Sequence, residues 1–149
     1  MDNLFVDFLY RLVNWLYCYE LDEYLSGIDP DSSTYFNFHN VGYPMLGWIT
    51  IIISFVFVTL YYWYDNAGKN QFKHWLIWGV IGGFVNLCIS TWLCYKAVLT
   101  GDMLQFGMVV DFPNCLMLGF ANLLLTLVFY FLFSLIGKMC STNCRRTPF

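Results

Sequence analysis

Charged residues are scarce in this chain of 149 residues. Asp, Glu, Lys and Arg together make up 11% of it, whereas soluble globular domains contain roughly 25% charged residues. Hydrophobic residues reach 59%, which leaves few polar side chains to cover the surface of a water-soluble fold. The composition therefore predicts a single membrane domain over residues 1–149, with the lipid bilayer as its main surroundings.

Long basic runs and the marks of a secreted precursor are also missing. The densest basic stretch is Arg145-Arg146, and the formal net charge is −3. Binding to nucleic acid requires clustered Lys and Arg that neutralise phosphates, so we expect no nucleic-acid partner. The acidic start MDNLFVDFLYRL lacks the basic region and the cleavage site of a signal peptide, so we expect no cleaved leader.

Ionisable side chains are absent from three long apolar segments. Residues 44–64, 75–95 and 112–137 contain no Asp, Glu, His, Lys or Arg. Proton-coupled transporters keep ionisable groups inside the membrane, and intramembrane hydrolases pair a nucleophile with a base. We therefore expect no catalytic residues, no cofactor and no enzymatic activity.

The polar parts of the sequence lack the pattern of a metal site. Residues 29–33 begin like a calcium loop, but Thr34 and Asn40 occupy the positions where such a loop requires Gly and Glu. The six cysteines are in or near apolar segments, in the first helix or in the tail, which is typical of small helix-packing residues. We expect no bound metal and no disulfide framework.

Three segments are long enough to cross a membrane: 42–64, 75–99 and 112–138. A transmembrane helix needs ~20 predominantly apolar residues. Aromatic residues such as Tyr61 and Trp75 mark the segment ends, as they do at membrane–water interfaces. The sequence therefore predicts an all-α membrane protein with three transmembrane helices.

The distribution of basic residues predicts the orientation of these spans. One side carries Lys69, Lys73, Lys138, Arg145 and Arg146. The other side carries Lys96 and, at most, Arg11. Because cytoplasmic loops hold the excess of Lys and Arg, we expect residues 139–149 to form a cytoplasmic tail and residues 21–43 an outer loop. The protein would then be integral to a plasma or inner membrane.

The N-terminal residues show a narrower polar pattern. Four polar residues recur at helical spacing, namely Asn3, Asp7, Arg11 and Asn14. This stripe predicts an amphipathic helix over residues 1–20. The helix can lie in the membrane interface, or it can form a fourth, marginal span with its charges turned into a bundle. We favour the interfacial or peripherally packed helix, because two charges in so short a segment are costly in lipid.

Small and polar residues also recur on one face of each of the last two spans. The second span has Gly79, Gly83, Asn86 and Ser90, and the third has Gly119, Asn122 and Thr126. At a rise of about 1.5 Å per residue, Asn86 and Asn122 reach similar depths near the middle of the membrane. The pattern predicts a helix-packing or pore-facing surface. On that surface an Asn86–Asn122 amide pair can close a hairpin, or the polar faces can join subunits or border water.

Two kinds of function are compatible with these features. The first is a homo-oligomer that forms an ion-conducting or membrane-permeabilising pore, since three spans cannot enclose a pore alone. The N-terminal stripe is then a candidate pore lining. The alternative is a membrane anchor or accessory subunit of a larger envelope complex, which binds a protein partner through residues 20–43 or the C-terminal tail. A membrane effector or immunity component is a third, minor hypothesis.

Overall fold

The described part of the chain is almost wholly helical. The structure, a computed structural model, describes residues 9–27, 42–64, 72–101, 103 and 109–140. Besides helical residues 9–11 and a 3-10 turn at Asn14–Leu16, these residues contain four α-helices. The helices are α1 (Tyr19–Ser26), α2 (Tyr43–Tyr64), α3 (Phe72–Leu99) and α4 (Phe112–Cys140).

Three of these helices, α2 to α4, are each long and apolar enough to cross a membrane. Among the described residues, the candidate spans cover Tyr43–Tyr62, Phe72–Leu99 and Phe112–Lys138. Helices form there because lipid offers no hydrogen-bond partners, so each segment must satisfy its own backbone. The predicted all-α class with three membrane-compatible helices is confirmed, and the chain is a small integral membrane protein. Helix α3 begins at Phe72, earlier than the predicted residue 75.

The three long helices alternate in direction. Hydrogen bonds between α2 and α4 join residues that are 72 positions apart at three successive levels. The pairs are Thr50–Asn122, Ser54–Thr126 and Tyr62–Ser134. This constant offset means that α2 and α4 run parallel. Helix α3 is antiparallel to both, and it shares its largest interface with α4.

Small residues set how closely α3 and α4 approach. A Cβ atom built on Gly119 would lie 2.2 Å from Oγ1 of Thr91 and 3.0 Å from the backbone oxygen of Leu87. A Cβ atom on Gly83 would lie 3.2 Å from Cγ of Leu123. Helix association in lipid depends on such close van der Waals contact, because lipid tails are as apolar as the helices themselves.

The N-terminal segment differs from the single helix expected over residues 1–20. Within residues 9–27, Tyr17 is extended, with φ −130° and ψ 171°, and α1 starts only at Tyr19. Tyr10 and Tyr17 both contact Tyr43. In a continuous helix they would lie about 10 Å apart along its axis, so the interruption is what lets both reach one partner.

Helix α1 falls largely within the predicted outer loop of residues 21–43. Leu21, Tyr24 and Leu25 are buried against the bundle. The helix ends at Ser26 and is capped by Gly27, whose φ of 80° is left-handed and suits glycine. We call residues 9–27 the cap. The remainder of the predicted loop, residues 28–41, lies outside the described residues, as do residues 141–149 of the predicted tail.

Candidate functional site

Asn86 of α3 joins all three long helices. Its side chain is fully buried, and its Nδ2 donates to Oγ1 of Thr50 on α2 at 2.8 Å and to Oγ1 of Thr126 on α4 at 2.7 Å. The backbone oxygen of Asn122 lies 3.3 Å from the same nitrogen. Both amide hydrogens are therefore used, and one side chain links the three spans at a single level.

Asn122 of α4 completes this level from the opposite side. Its Oδ1 accepts a hydrogen bond from the Tyr10 hydroxyl at 2.5 Å, and Oγ1 of Thr50 lies 3.4 Å from the same oxygen. Its Nδ2 is buried and has no hydrogen-bond partner among the described residues. A buried amide nitrogen without a partner costs about 1–3 kcal/mol, so Asn122 is less completely satisfied than Asn86.

The expected amide pair between Asn86 and Asn122 takes an indirect form. Asn86 contacts the backbone of Asn122, and Thr50 bridges the two side chains. The reason is that α2 lies against α3 and α4 at this level, so a hydroxyl from a third helix occupies the space between the amides. We call Thr50, Asn86, Ser90, Asn122 and Thr126 the polar layer.

Hydroxyl groups in and beside the polar layer are held by their own helices. Thr50, Ser54 and Thr126 each donate to the backbone oxygen four residues earlier, at 2.7–2.9 Å. A hydroxyl that donates in this way keeps its lone pairs free to accept. Thr50 and Thr126 are therefore oriented as acceptors for the Asn86 amide, and Ser90 donates to its Oδ1 at 3.4 Å.

Tyr10 is a member of the site that the sequence patterns did not single out. Its side chain is only 1% exposed, and its ring stacks on Tyr43 with centroids 4.4 Å apart. The hydroxyl reaches Asn122 in the polar layer. A buried tyrosine normally finds a partner for its hydroxyl, so an apolar-face tyrosine in an amphipathic segment was the signal available in the sequence.

A cluster of two tyrosines and an aspartate links the cap to the start of α2 by hydrogen bonds. The hydroxyls of Tyr17 and Tyr43 lie 2.6 Å apart, and the Tyr43 hydroxyl donates to the carboxylate of Asp22. Burial raises the pKa of Tyr17 above its usual value. The Tyr17 hydroxyl therefore keeps its proton at neutral pH and can donate it to the Tyr43 oxygen.

The opposite end of the bundle is held by an indole and a serine. Nε1 of Trp75 on α3 donates to Oγ of Ser134 on α4 at 2.8 Å. The Tyr62 hydroxyl of α2 lies 3.1 Å from the same Oγ, and the Tyr130 hydroxyl donates to the backbone oxygen of Trp75 at 3.1 Å. Hydrogen bonds between helices thus recur towards both ends of the spans.

The residues predicted to face a helix or a pore all lie in the interior of one chain. They are Gly79, Gly83, Asn86, Ser90, Gly119, Asn122 and Thr126, and each is buried. Gly79 faces the ring of Tyr130, whose nearest carbons lie 3.0 Å from a Cβ built on the glycine. The small and polar faces of α3 and α4 therefore meet each other and α2.

The predicted N-terminal stripe is only partly visible. Arg11 is exposed and Asn14 is half-buried, both in the cap. Asn3 and Asp7 lie outside the described residues. Tyr10, the neighbour of Arg11, is buried and reaches Asn122 inside the bundle.

Neither a protein-family model, nor a curated protein, nor a solved structure matches this chain. Its chemistry therefore follows from its own residues. The polar layer consists of neutral amides and hydroxyls, which bind one another and carry no charge. In the described segments, no group of three or more His, Cys, Asp or Glu side chains is placed to hold a metal ion.

Proposed function

We infer that the protein is a membrane anchor or accessory subunit of a larger envelope complex. One observation carries this proposal: the polar side chains of all three spans in the polar layer are hydrogen-bonded to one another inside one chain. The helix faces that remain for lipid or for a partner carry large apolar side chains, such as exposed Trp48, Phe84 and Val128. A closed bundle with an apolar exterior suits a membrane-embedded structural subunit.

The same observation weighs against a pore lined by the stripes of several subunits. A water-filled lumen requires polar groups that face it. The stripes of α3 and α4 face each other, and the outward Thr59 of α2 donates to its own helix at Phe55, 2.8 Å away. A ring of closed bundles would therefore present mainly apolar faces at its centre.

The orientation proposed for the protein places its C-terminus in the cytoplasm. Lys73 and Lys138 belong to the same end of the bundle, since Trp75 and Ser134 beside them are hydrogen-bonded. Lys96 belongs to the opposite end of α3, and the cap lies at the start of α2. Basic residues concentrate on the cytoplasmic side. We expect a C-terminal fluorescent fusion to mature and a C-terminal periplasm-dependent phosphatase to stay inactive; the reverse pattern would invert this topology.

A gated pore formed by several copies of this chain is the second candidate, and Tyr10 is the observation that favours it. The Tyr10 side chain enters from the cap, outside the three spans, and its hydroxyl ends the hydrogen-bonded series at Asn122. A side chain that enters from a separate segment can block a path through the polar interior and can withdraw without rearranging the three spans. Removing the ring would then open a path beside the polar layer.

Planar-bilayer recording and native mass spectrometry distinguish these two functions. We expect wild-type protein and Tyr10→Ala to be silent in bilayers. We expect protein extracted from its own membrane in mild detergent to carry a foreign subunit at fixed stoichiometry. Tyr10→Phe is the matched control, because it keeps the ring and removes only the hydroxyl. Discrete currents from Tyr10→Ala with silence from Tyr10→Phe would favour the gated pore, and a conducting ring of this chain alone would overturn the subunit proposal.

A further inference from the structure

Two cysteines face each other across the α3–α4 interface. Sγ of Cys94 and Sγ of Cys115 lie 2.8 Å apart, and both side chains are fully buried. A disulfide bond is about 2.05 Å long, so the sulfur atoms need only a small further approach to become bonded. The two residues are 21 positions apart in the chain, on either side of the connection between α3 and α4.

The surroundings of this pair differ from those of the other cysteine of α3. Cys88 is exposed on the outer face of that helix. Cys94 and Cys115 instead belong to the cluster of buried side chains on which the cap packs, and half-buried Cys18 of the cap packs against this cluster. A bond between the pair would therefore fix the surface that receives Tyr17 and Leu21.

We propose that Cys94 and Cys115 form an intramolecular disulfide by exchange with an external disulfide, and that this bond locks α3 to α4 beneath the cap. The external disulfide is the oxidant. Its S–S bond and the two cysteine S–H bonds break, one S–S bond forms between Cys94 and Cys115, and the two protons pass to the two released thiols. The cysteine pair is oxidised and the external disulfide is reduced to two thiols.

This proposal does not depend on the subunit function. In the proposed orientation, this end of the bundle lies on the side of the membrane opposite the cytoplasm. Disulfides persist in such non-cytoplasmic, oxidising compartments. The test is carried out on purified protein, so neither orientation nor partner binding affects its outcome. Because both side chains are buried, exchange requires a local opening of the bundle, and the measurement must be made at equilibrium.

The test uses a full-length variant that retains only this pair. It carries Cys18→Ser, Cys88→Ser, Cys140→Ser and Cys144→Ser, and it is equilibrated in detergent with glutathione and glutathione disulfide. After acid quenching, the protein is unfolded in SDS, labelled with N-ethylmaleimide and weighed intact. We expect no maleimide label and a mass about 2 Da below that of the dithiol, and two labels after reduction with dithiothreitol.

The matched control retains Cys88 and Cys115 and carries Cys94→Ser with the other three substitutions. It also has one cysteine on each of α3 and α4, but Cys88 faces outward, so we expect it to remain without an internal bond. Two labels or a retained glutathione adduct on the Cys94/Cys115 variant would overturn the proposal. If that variant does not fold, non-reduced peptide mapping of the equilibrated wild-type protein replaces it. A cross-linked Cys94–Cys115 peptide supports the proposal, and its absence refutes it.

Discussion

The substitution Asn86→Asp is expected to destabilise the bundle by about 3 kcal/mol, the cost of a carboxylate at the centre of a membrane helix. The change is nearly isosteric, so packing is preserved. It removes the amide nitrogen that donates to Thr50 and Thr126 at 2.8 and 2.7 Å. It also places an ionisable oxygen in a fully buried position, where water cannot stabilise the charge.

Reversible unfolding in mixed micelles, followed by tryptophan fluorescence, measures this effect. Asn14→Asp is the matched control, because it makes the same chemical change in the half-buried cap, and we expect it to change stability by less than about 1 kcal/mol. Asn86→Leu separates the two contributions. It should lose only the hydrogen bonds, worth ~0.6–1.7 kcal/mol each in membranes. Equal stabilities for Asn86→Asp and wild type would contradict the central role of this amide.

The second large effect is expected for Gly119→Ala. In an ordinary helix this change stabilises by about 1 kcal/mol. Here the new Cβ would lie 2.2 Å from Oγ1 of Thr91 and 3.0 Å from the backbone oxygen of Leu87. Overpacking of this kind costs about 1–3 kcal/mol. We therefore expect a net loss of stability, with α3 and α4 forced apart at this contact.

A double-mutant cycle with Thr91→Ala tests the stated cause. Oγ1 of Thr91 is buried and has no hydrogen-bond partner among the described residues, so its removal alone should cost little. In the Gly119→Ala background it should restore much of the lost stability, because the 2.2 Å contact disappears. Gly83→Ala is the control, because the atom nearest to a Cβ built on Gly83 is Cγ of Leu123 at 3.2 Å, a longer distance than at Gly119. An unchanged or raised stability for Gly119→Ala would refute the close approach of α3 and α4 at Gly119.

Residue spacing predicted some residues of the site but not which of them are hydrogen-bonded to one another. The helical period placed Asn86 and Ser90 on one face of α3, and Asn122 and Thr126 on one face of α4. In the structure all four side chains are buried inside the bundle. Thr50 of α2 was not predicted, because a threonine in an apolar run satisfies its own hydroxyl through its helix, as it does with Leu46 at 2.9 Å. A threonine of this kind needs no partner from another helix, so the sequence pattern gives no reason to place it in the site.

Composition and the lengths of the apolar segments were enough to predict the membrane class and the three spans, because hydrocarbon thickness sets the length of a spanning helix and lipid excludes charge. Which polar groups pair depends on how the helices pack. The helical period assigns residues to a face, but it does not say how a helix is rotated or which neighbour it meets. That is why Thr50 stands between the two asparagines and why Tyr10, from a segment expected at the membrane surface, donates its hydroxyl to Asn122 inside the bundle.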